Sequence, residues 1–424
     1  MMEIEEAIAS LLEESQQQST FSKEILRLER EVETGSILLW LHSHNSLYKA
    51  YWKSREGDVE RGALDCCNFF HSEFPTLAES LELVEHSLAN QPSGELSYYF
   101  LSSFNLTSSL FYLPRWELIR REEHYLLALQ FHGNESSFVS PPLKKREPPA
   151  LIEPNIHSFS QIPTRKQWKE QFRKIKRLFF SRVLQKIVLS QKSSYTLSEE
   201  ISGLSILLQM QEEMPGCYHF FLKIKPHSLS LFGFSPERLF LRKENEFYTE
   251  ALAGTAWKKS TLHDAKFLEE YHYVPRFIIE KIRPLSEKTT MAENPSIYSL
   301  PYAHHLYCPI RAVLAPDISN YTLLTTLHPT PAVGGYKQRA ALKEIPRIER
   351  HSRKYYAGLF GILQKSQTEF LVTIRSAHIE KNEISYFTGV GLTETSDEEA
   401  EWIELQRKRE GILFPTLSSS SAFK

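Results

Sequence analysis

Two carboxylates and an ammonium recur at helical spacing near the end of the chain, where Glu401, Glu404 and Lys408 fall at i, i+3 and i+7. Residues so spaced share one helix face. Ser396 with Glu399 three positions later has the pattern of a capping box, so a helix is predicted from about Asp397. On an arbitrary helix this face would be solvated and carry a Glu404–Lys408 ion pair. What precedes it suggests more. Tyr386–Leu392 reads as a strand running into Gly389 and Gly391, and glycines let a backbone approach a ligand closely. A second acidic pair, Glu269–Glu270, lies on a predicted helix from Asp264 to Arg283 in which Pro275 should place a kink. Carboxylates gathered from two helices suit Mg²⁺, which prefers hard oxygen donors and keeps some of its water.

Positioning such groups requires a folded scaffold, and the composition allows one. The chain has 424 residues, 41% hydrophobic and 12% aromatic, enough for one large core or two ordinary ones. Its net charge of −2 offers no general attraction for nucleic acid or anionic lipid, so an anionic ligand must be held by a local cluster. The start lacks the basic and apolar regions of a secretory signal, and no apolar run reaches the length of a membrane span. Cys66, Cys67, Cys217 and Cys308 lack zinc-ligand spacing. A reduced, cytoplasmic setting is expected.

Residues 1 to about 35 read as helix from the spacing of Ile4, Ala7, Ile8, Leu11 and Leu12. Strand-like aromatic and aliphatic runs follow at Tyr98–Leu101 and Tyr125–Leu129. Residues 134–163, rich in Pro, Ser and charge, read as a surface connector. Beyond it helix and strand alternate: 167–191 helical then extended, strands at 217–224, 229–234, 370–377 and 384–388, and a low-complexity tail at 418–421. No fixed-period repeat is present. The class is α+β.

Seven ordered segments between about residues 160 and 410 carry a specific resemblance. They are Lys186–Ser190, Phe232–Glu237, Glu250–Thr255, Leu327–Gly335, Tyr356–Gly358, Ile374–Ala377, and Gly389–Gly391 leading to Glu401–Glu404. In this order they resemble the chorismate-utilising enzymes. The run Leu-His-Pro-Thr-Pro-Ala-Val-Gly-Gly at 327–335 is similar to that of isochorismate synthases, where anthranilate and aminodeoxychorismate synthases usually carry Pro-x-Gly-Thr-x-Ser-Gly-Ala-Pro. Water rather than ammonia is the nucleophile this implies. Ala253 stands where some aminodeoxychorismate synthases have a lysine nucleophile.

The resemblance implies two stacked β-sheets flanked by helices, with the site in a cleft between them. Residues 1–150 would contribute strands to the same core, 151–415 would form the chorismate-binding catalytic region, and 416–424 would be a flexible tail. It implies Lys186 as base and Glu237 as acid in adding water at ring C2 while the C4 hydroxyl departs. Glu270 and Glu404 would bind Mg²⁺, with Glu401 supporting through water. Arg375 and Tyr356 would meet the enolpyruvyl carboxylate and His305 the region of the C4 hydroxyl, with Gly254, Thr255, Gly389, Gly391 and Lys408 completing the pocket. The product would feed menaquinone or siderophore synthesis, menaquinone being favoured. No glutamine amidotransferase subunit is expected, and the protein would be a monomer or homodimer. A salicylate-forming lyase and a non-catalytic chorismate-binding regulator remain alternatives. Gln191, Tyr271 and Lys337 depart from the family pattern.

Overall fold

The computed structural model describes residues 2–18, 24–71, 76–91, 95–135, 155–224 and 229–417. Most of the predicted connector, and the tail from residue 418, lie outside the described residues.

Alternation along the strands explains the architecture. In the strand Tyr98–Ser102, Tyr99 and Leu101 join one buried cluster while Tyr98 and Phe100 join another. In Tyr218–Lys223, Tyr218, Phe220 and Leu222 face that same first cluster, and Phe221 faces a third. Successive side chains point to opposite faces, so a strand apolar at every position is covered on both sides. The shared cluster is the interior of a sandwich: Trp52 and Phe220 lie 5.8 and 5.6 Å from the Phe360 ring of the opposite layer.

Hydrogen-bond pairings define the two layers. One runs from Ile25–Glu33 through His124–His132, Ser109–Arg121, Val59–His71, Lys49–Lys53, Tyr218–Lys223, Leu229–Ser235, Ser376–Glu380 and Glu383–Leu392 to Lys186–Leu197. The other runs from Tyr98–Ser102 through Leu359–Leu363, Thr368–Val372, Arg238–Lys243 and Glu246–Ala256 to Ala303–Leu314. Ser109–Arg121 pairs with Tyr98–Ser102 as well, so hydrogen bonding is continuous between the layers. Every described pairing is antiparallel except the two-residue contact of Met2–Glu3. Helices Ile4–Gln17, Ile37–Ser43 and Gly203–Met210 cover the outside of the first layer. Those at Leu77–Ala89, Arg165–Phe180, Ala265–Ile282, Asn320–Leu327 and Gln338–Ile348 pack in the cluster beyond the second. The α+β class and the stacked sheets agree with the sequence reading.

Two local expectations are corrected. The predicted N-terminal helix ends at Gln17, and Ile25–Glu33 is a strand pairing with His124–His132. Its Leu28 and Val32 are buried, and ladder pairing outweighs the helix formers Glu, Arg and Leu around them. The helix Glu398–Leu417 is capped by Asp397, whose carboxylate accepts from the Glu399 and Ala400 amides at 3.1 and 2.9 Å. Ser396 instead accepts from the Thr393 amide at 3.1 Å, closing the preceding turn.

Candidate active site

The strand Lys186–Leu197 supplies Lys186 at its first position, a side chain with no solvent exposure. Its ammonium donates to the Glu270 main-chain carbonyl at 3.1 Å and lies 3.5 Å from the Glu270 carboxylate. Burial pushes the lysine toward its neutral form, while Glu270 and Glu237 hold the proton on. Glycine makes this approach possible: a Cβ at Gly391 would overlap the Glu270 carboxylate and stand 3.0 Å from Lys186 Cε. Gly389 and Gly391 lie within the strand Glu383–Leu392, paired with Ser190 and Val188, rather than in a turn.

Glu237 sits between the strands Leu229–Ser235 and Arg238–Lys243, also buried. Burial, reinforced by the charge of Glu250, pushes its carboxyl up to about 8; Lys186 and the Thr330 hydroxyl, 3.5 Å away, oppose the shift. Thr330 comes from the Leu327–Gly335 run, which also packs against the lysine strand through Val188 N–H to the Gly334 carbonyl at 2.8 Å.

Between these groups lies a pocket. It is lined by Glu237, Gly254, Thr255, Glu270, His305, Tyr356, Arg375, Gly389, Gly391 and Lys408, together with apolar Val188, Pro236, Leu252, Ala253, Ala332, Val333, Ile374 and Phe387. Gly254 is left-handed, at φ 67°, with its α-carbon turned toward the Phe267 carbonyl. His305 bonds Thr255 Oγ1 through Nδ1 at 3.2 Å, and its Nε2 has no partner among the described residues. Burial, aided by the Arg375 and Lys408 charges, keeps this imidazole neutral. Tyr356 stacks on Phe387 at 5.2 Å, and burial pushes its phenol up to about 12. Arg375, at φ 52°, lies 4.2 Å over the Tyr302 ring, and among the described residues it has no carboxylate within ion-pair distance. Lys408 donates to the Gly389 carbonyl at 2.9 Å and pairs with Glu404 at 2.7 Å.

Lys186, Glu401 and Glu404 do not line the pocket; they stand behind its Glu270 wall. Glu401 occupies a buried helix position, and burial with the neighbouring Glu404 charge pushes its carboxyl up to about 7. Among the described residues no three His, Cys, Asp or Glu side chains form a ready-made metal cage. The donor set nonetheless fits a hard divalent cation, because Glu270, Glu401 and Glu404 gather three carboxylate charges that Lys266, Lys408 and Lys186 offset.

Sequence reading missed Lys266, whose place four residues before Glu270 was the available signal, and Arg353. Arg353 binds Glu349 and the carbonyls of Val333 and Val188 at 2.8 and 2.7 Å, fixing two pocket walls from behind. The i, i+4 spacing to Glu349 was an available signal, but the Val333 and Val188 carbonyls come from remote segments that no spacing rule marks.

A stacked antiparallel sandwich with a buried lysine and a buried carboxyl beside an anion-ready pocket defines a class of enzyme that binds a small anionic substrate between its layers. The chain belongs to the chorismate binding enzyme family, whose model matches residues 7–414. It is 29% identical over 421 residues to the isochorismate synthase MenF of Haemophilus influenzae, covering 94% of this chain and 92% of that protein. With the Escherichia coli MenF it shares 27% over 397 residues, 88% of this chain and 89% of the relative. The solved structure of the menaquinone-specific isochorismate synthase MenF from Escherichia coli superimposes with a TM-score of 0.87 at 23% identity, covering 97% and 99% of the two chains. Anthranilate synthase component I from Streptococcus pneumoniae gives 0.66 at 14% identity, covering 93% of each.

Proposed function

We propose that this protein is an isochorismate synthase, interconverting chorismate and isochorismate with Mg²⁺ and serving menaquinone synthesis. The observation that carries the reading is that Glu237, a carboxyl held protonated by burial, lines the pocket while Lys186, a lysine driven toward neutrality, stands directly behind the pocket's Glu270. An acid and a base whose environments favour those forms near neutral pH are what loss of the C4 hydroxyl with addition of water at C2 requires. The names of the relatives support the same reaction.

In this mechanism Lys186 takes a proton from water as its oxygen bonds to ring C2. Both ring double bonds shift, C1=C2 to C6=C1 and C5=C6 to C4=C5, and Glu237 gives its proton to the C4 hydroxyl, which leaves as water. One water enters and one departs, so the step balances and runs in either direction. Arg375 and the Tyr356 hydroxyl hold the enolpyruvyl carboxylate, neutral His305 donates or accepts near C4, and Gly254, Thr255, Gly389 and Lys408 orient the rest. Glu270, Glu401 and Glu404 would hold magnesium, which when bound would neutralise the ring carboxylate and ease electron movement in the ring. The apolar wall of Val188, Leu252 and Ala332 limits water to the reacting molecule.

The test incubates purified protein with chorismate and Mg²⁺, with and without ammonium, and separates the products. Isochorismate formed without ammonium, and lost with EDTA or in Lys186→Ala, is the expected result. Salicylate plus pyruvate, an aminated product, or binding without turnover would each replace this reading.

A further inference from the structure

Arg55 is remote in sequence from every pocket residue. It lies in the turn joining strands Lys49–Lys53 and Val59–His71, yet its side chain is only 7% exposed and its guanidinium rests near the Tyr218 and Tyr298 rings, 5.8 and 5.4 Å from their centres. It donates to the Pro236 carbonyl at 3.0 Å and grips both oxygens of the Glu250 carboxylate, one at 2.9 Å. Glu250 in turn accepts from the Arg238 amide at 3.2 Å. A single buried ion pair therefore holds the backbone on both sides of Glu237. The neighbouring strand also holds Glu237, whose carbonyl accepts from the Val372 amide at 3.0 Å, and the Glu237 amide donates to Ser235 Oγ at 3.2 Å. The register of that strand against Arg238–Lys243 nonetheless shifts between Arg238 and Phe240.

We propose that Arg55 and Glu250 form a clamp that positions Glu237, so that the N-terminal portion of the chain sets the aim of a group in the pocket. This rests on the reading of Glu237 as the acid. A buried pair that served only to tie two segments would have no need to bond the carbonyl of residue 236 and the amide of residue 238. Bidentate arginine suits the task, because its planar fork fixes direction as well as distance. Glu250 acts on Glu237 a second way, as the like charge that disfavours its ionised form; the other groups facing that carboxyl are Lys186, the Thr330 hydroxyl and the Tyr356 phenol.

The experiment compares Arg55→Ala, Arg55→Lys and Glu250→Gln, each alone and combined with Glu237→Gln, by steady-state kinetics and by melting temperature across pH. Arg55→Ala should lower kcat about tenfold to hundredfold, because small misplacements of an acid are costly, with KM for chorismate changed by less than about twofold. Arg55→Lys, which keeps the charge but not the fork, should recover part of that loss. The melting-temperature gap between proteins with and without Glu237→Gln reports its ionisation without any turnover. In the Glu250→Gln background this gap should level off about one pH unit lower than in the native background. A kcat loss that merely tracks melting temperature, with the levelling pH unmoved, would overturn the clamp. Full turnover by Glu237→Gln would overturn the acid assignment instead, and the pH at which the gap levels would still show whether Glu250 acts on that carboxyl.

Discussion

The Lys266 ammonium lies 2.7 Å from the Glu401 carboxylate, although the two residues grow from different helices, Ala265–Ile282 and Glu398–Leu417. Glu404 is 3.9 Å away on its other side. Without a divalent cation, Lys266 is the ammonium that Glu401 and Glu404 share, while Lys408 pairs with Glu404 and Lys186 with Glu270. Removing it as Lys266→Met should destabilise the metal-free protein by about 2 kcal/mol, less than the full cost of breaking a buried pair because Lys266 is partly exposed. Mg²⁺ should restore more stability to the variant than to the native protein, as read by urea unfolding with EDTA and with magnesium. Equal losses in both buffers would exclude the shared-site account.

Glu237 gives a pH dependence whose sign can be worked out. In the unfolded chain its carboxyl ionises near 4.5, whereas in the folded protein it stays protonated up to about 8. Between those values unfolding releases a proton, so native stability falls relative to Glu237→Gln as pH rises, and the difference is constant above about 8. The total is on the order of 5 kcal/mol. Melting curves of both proteins from pH 4 to pH 9 measure it, and parallel curves would show that Glu237 is already ionised at neutral pH.

Gly391→Ala tests the glycine that lets Glu270 and Lys186 meet. The added methyl would occupy the space of the Glu270 carboxylate. Turnover should drop at least about tenfold and Mg²⁺ affinity, by calorimetry, should weaken, while stability falls by about 1–3 kcal/mol as for other overpacked sites. An unchanged magnesium affinity would remove Glu270 from the metal set.

Arg375→Lys should act on substrate binding. Loss of a planar fork for a carboxylate is expected to raise KM for chorismate by about tenfold, with a smaller change in kcat. A pure kcat effect would place Arg375 away from the substrate carboxylate.

Much of the fold was legible because its signals are local. The strands around Tyr98–Leu101 and Tyr218–Lys223, and the helices beginning near Arg165, Ala265 and Glu398, follow from runs and spacings of neighbouring residues. Ile25–Glu33 was misread because its charged and aliphatic residues suit either state until a partner strand is present. Asp397 was overlooked as the cap because two adjacent residues both offered a capping oxygen.

The sequence by itself determined the family and the residue types of the site. Ordered motifs carry the lysine, the carboxyls, the arginine and the glycines in the chain, and those identities survive without any knowledge of distance. Only the tertiary structure decided that Lys186 is sealed behind Glu270, that Lys266 bridges Glu401 and Glu404, and that Arg55 reaches the backbone around Glu237. Protonation state was decided there as well. A side chain's pKa depends on the water it loses and the charges it meets, and both are set by segments up to about two hundred positions apart that touch only when the sheets stack.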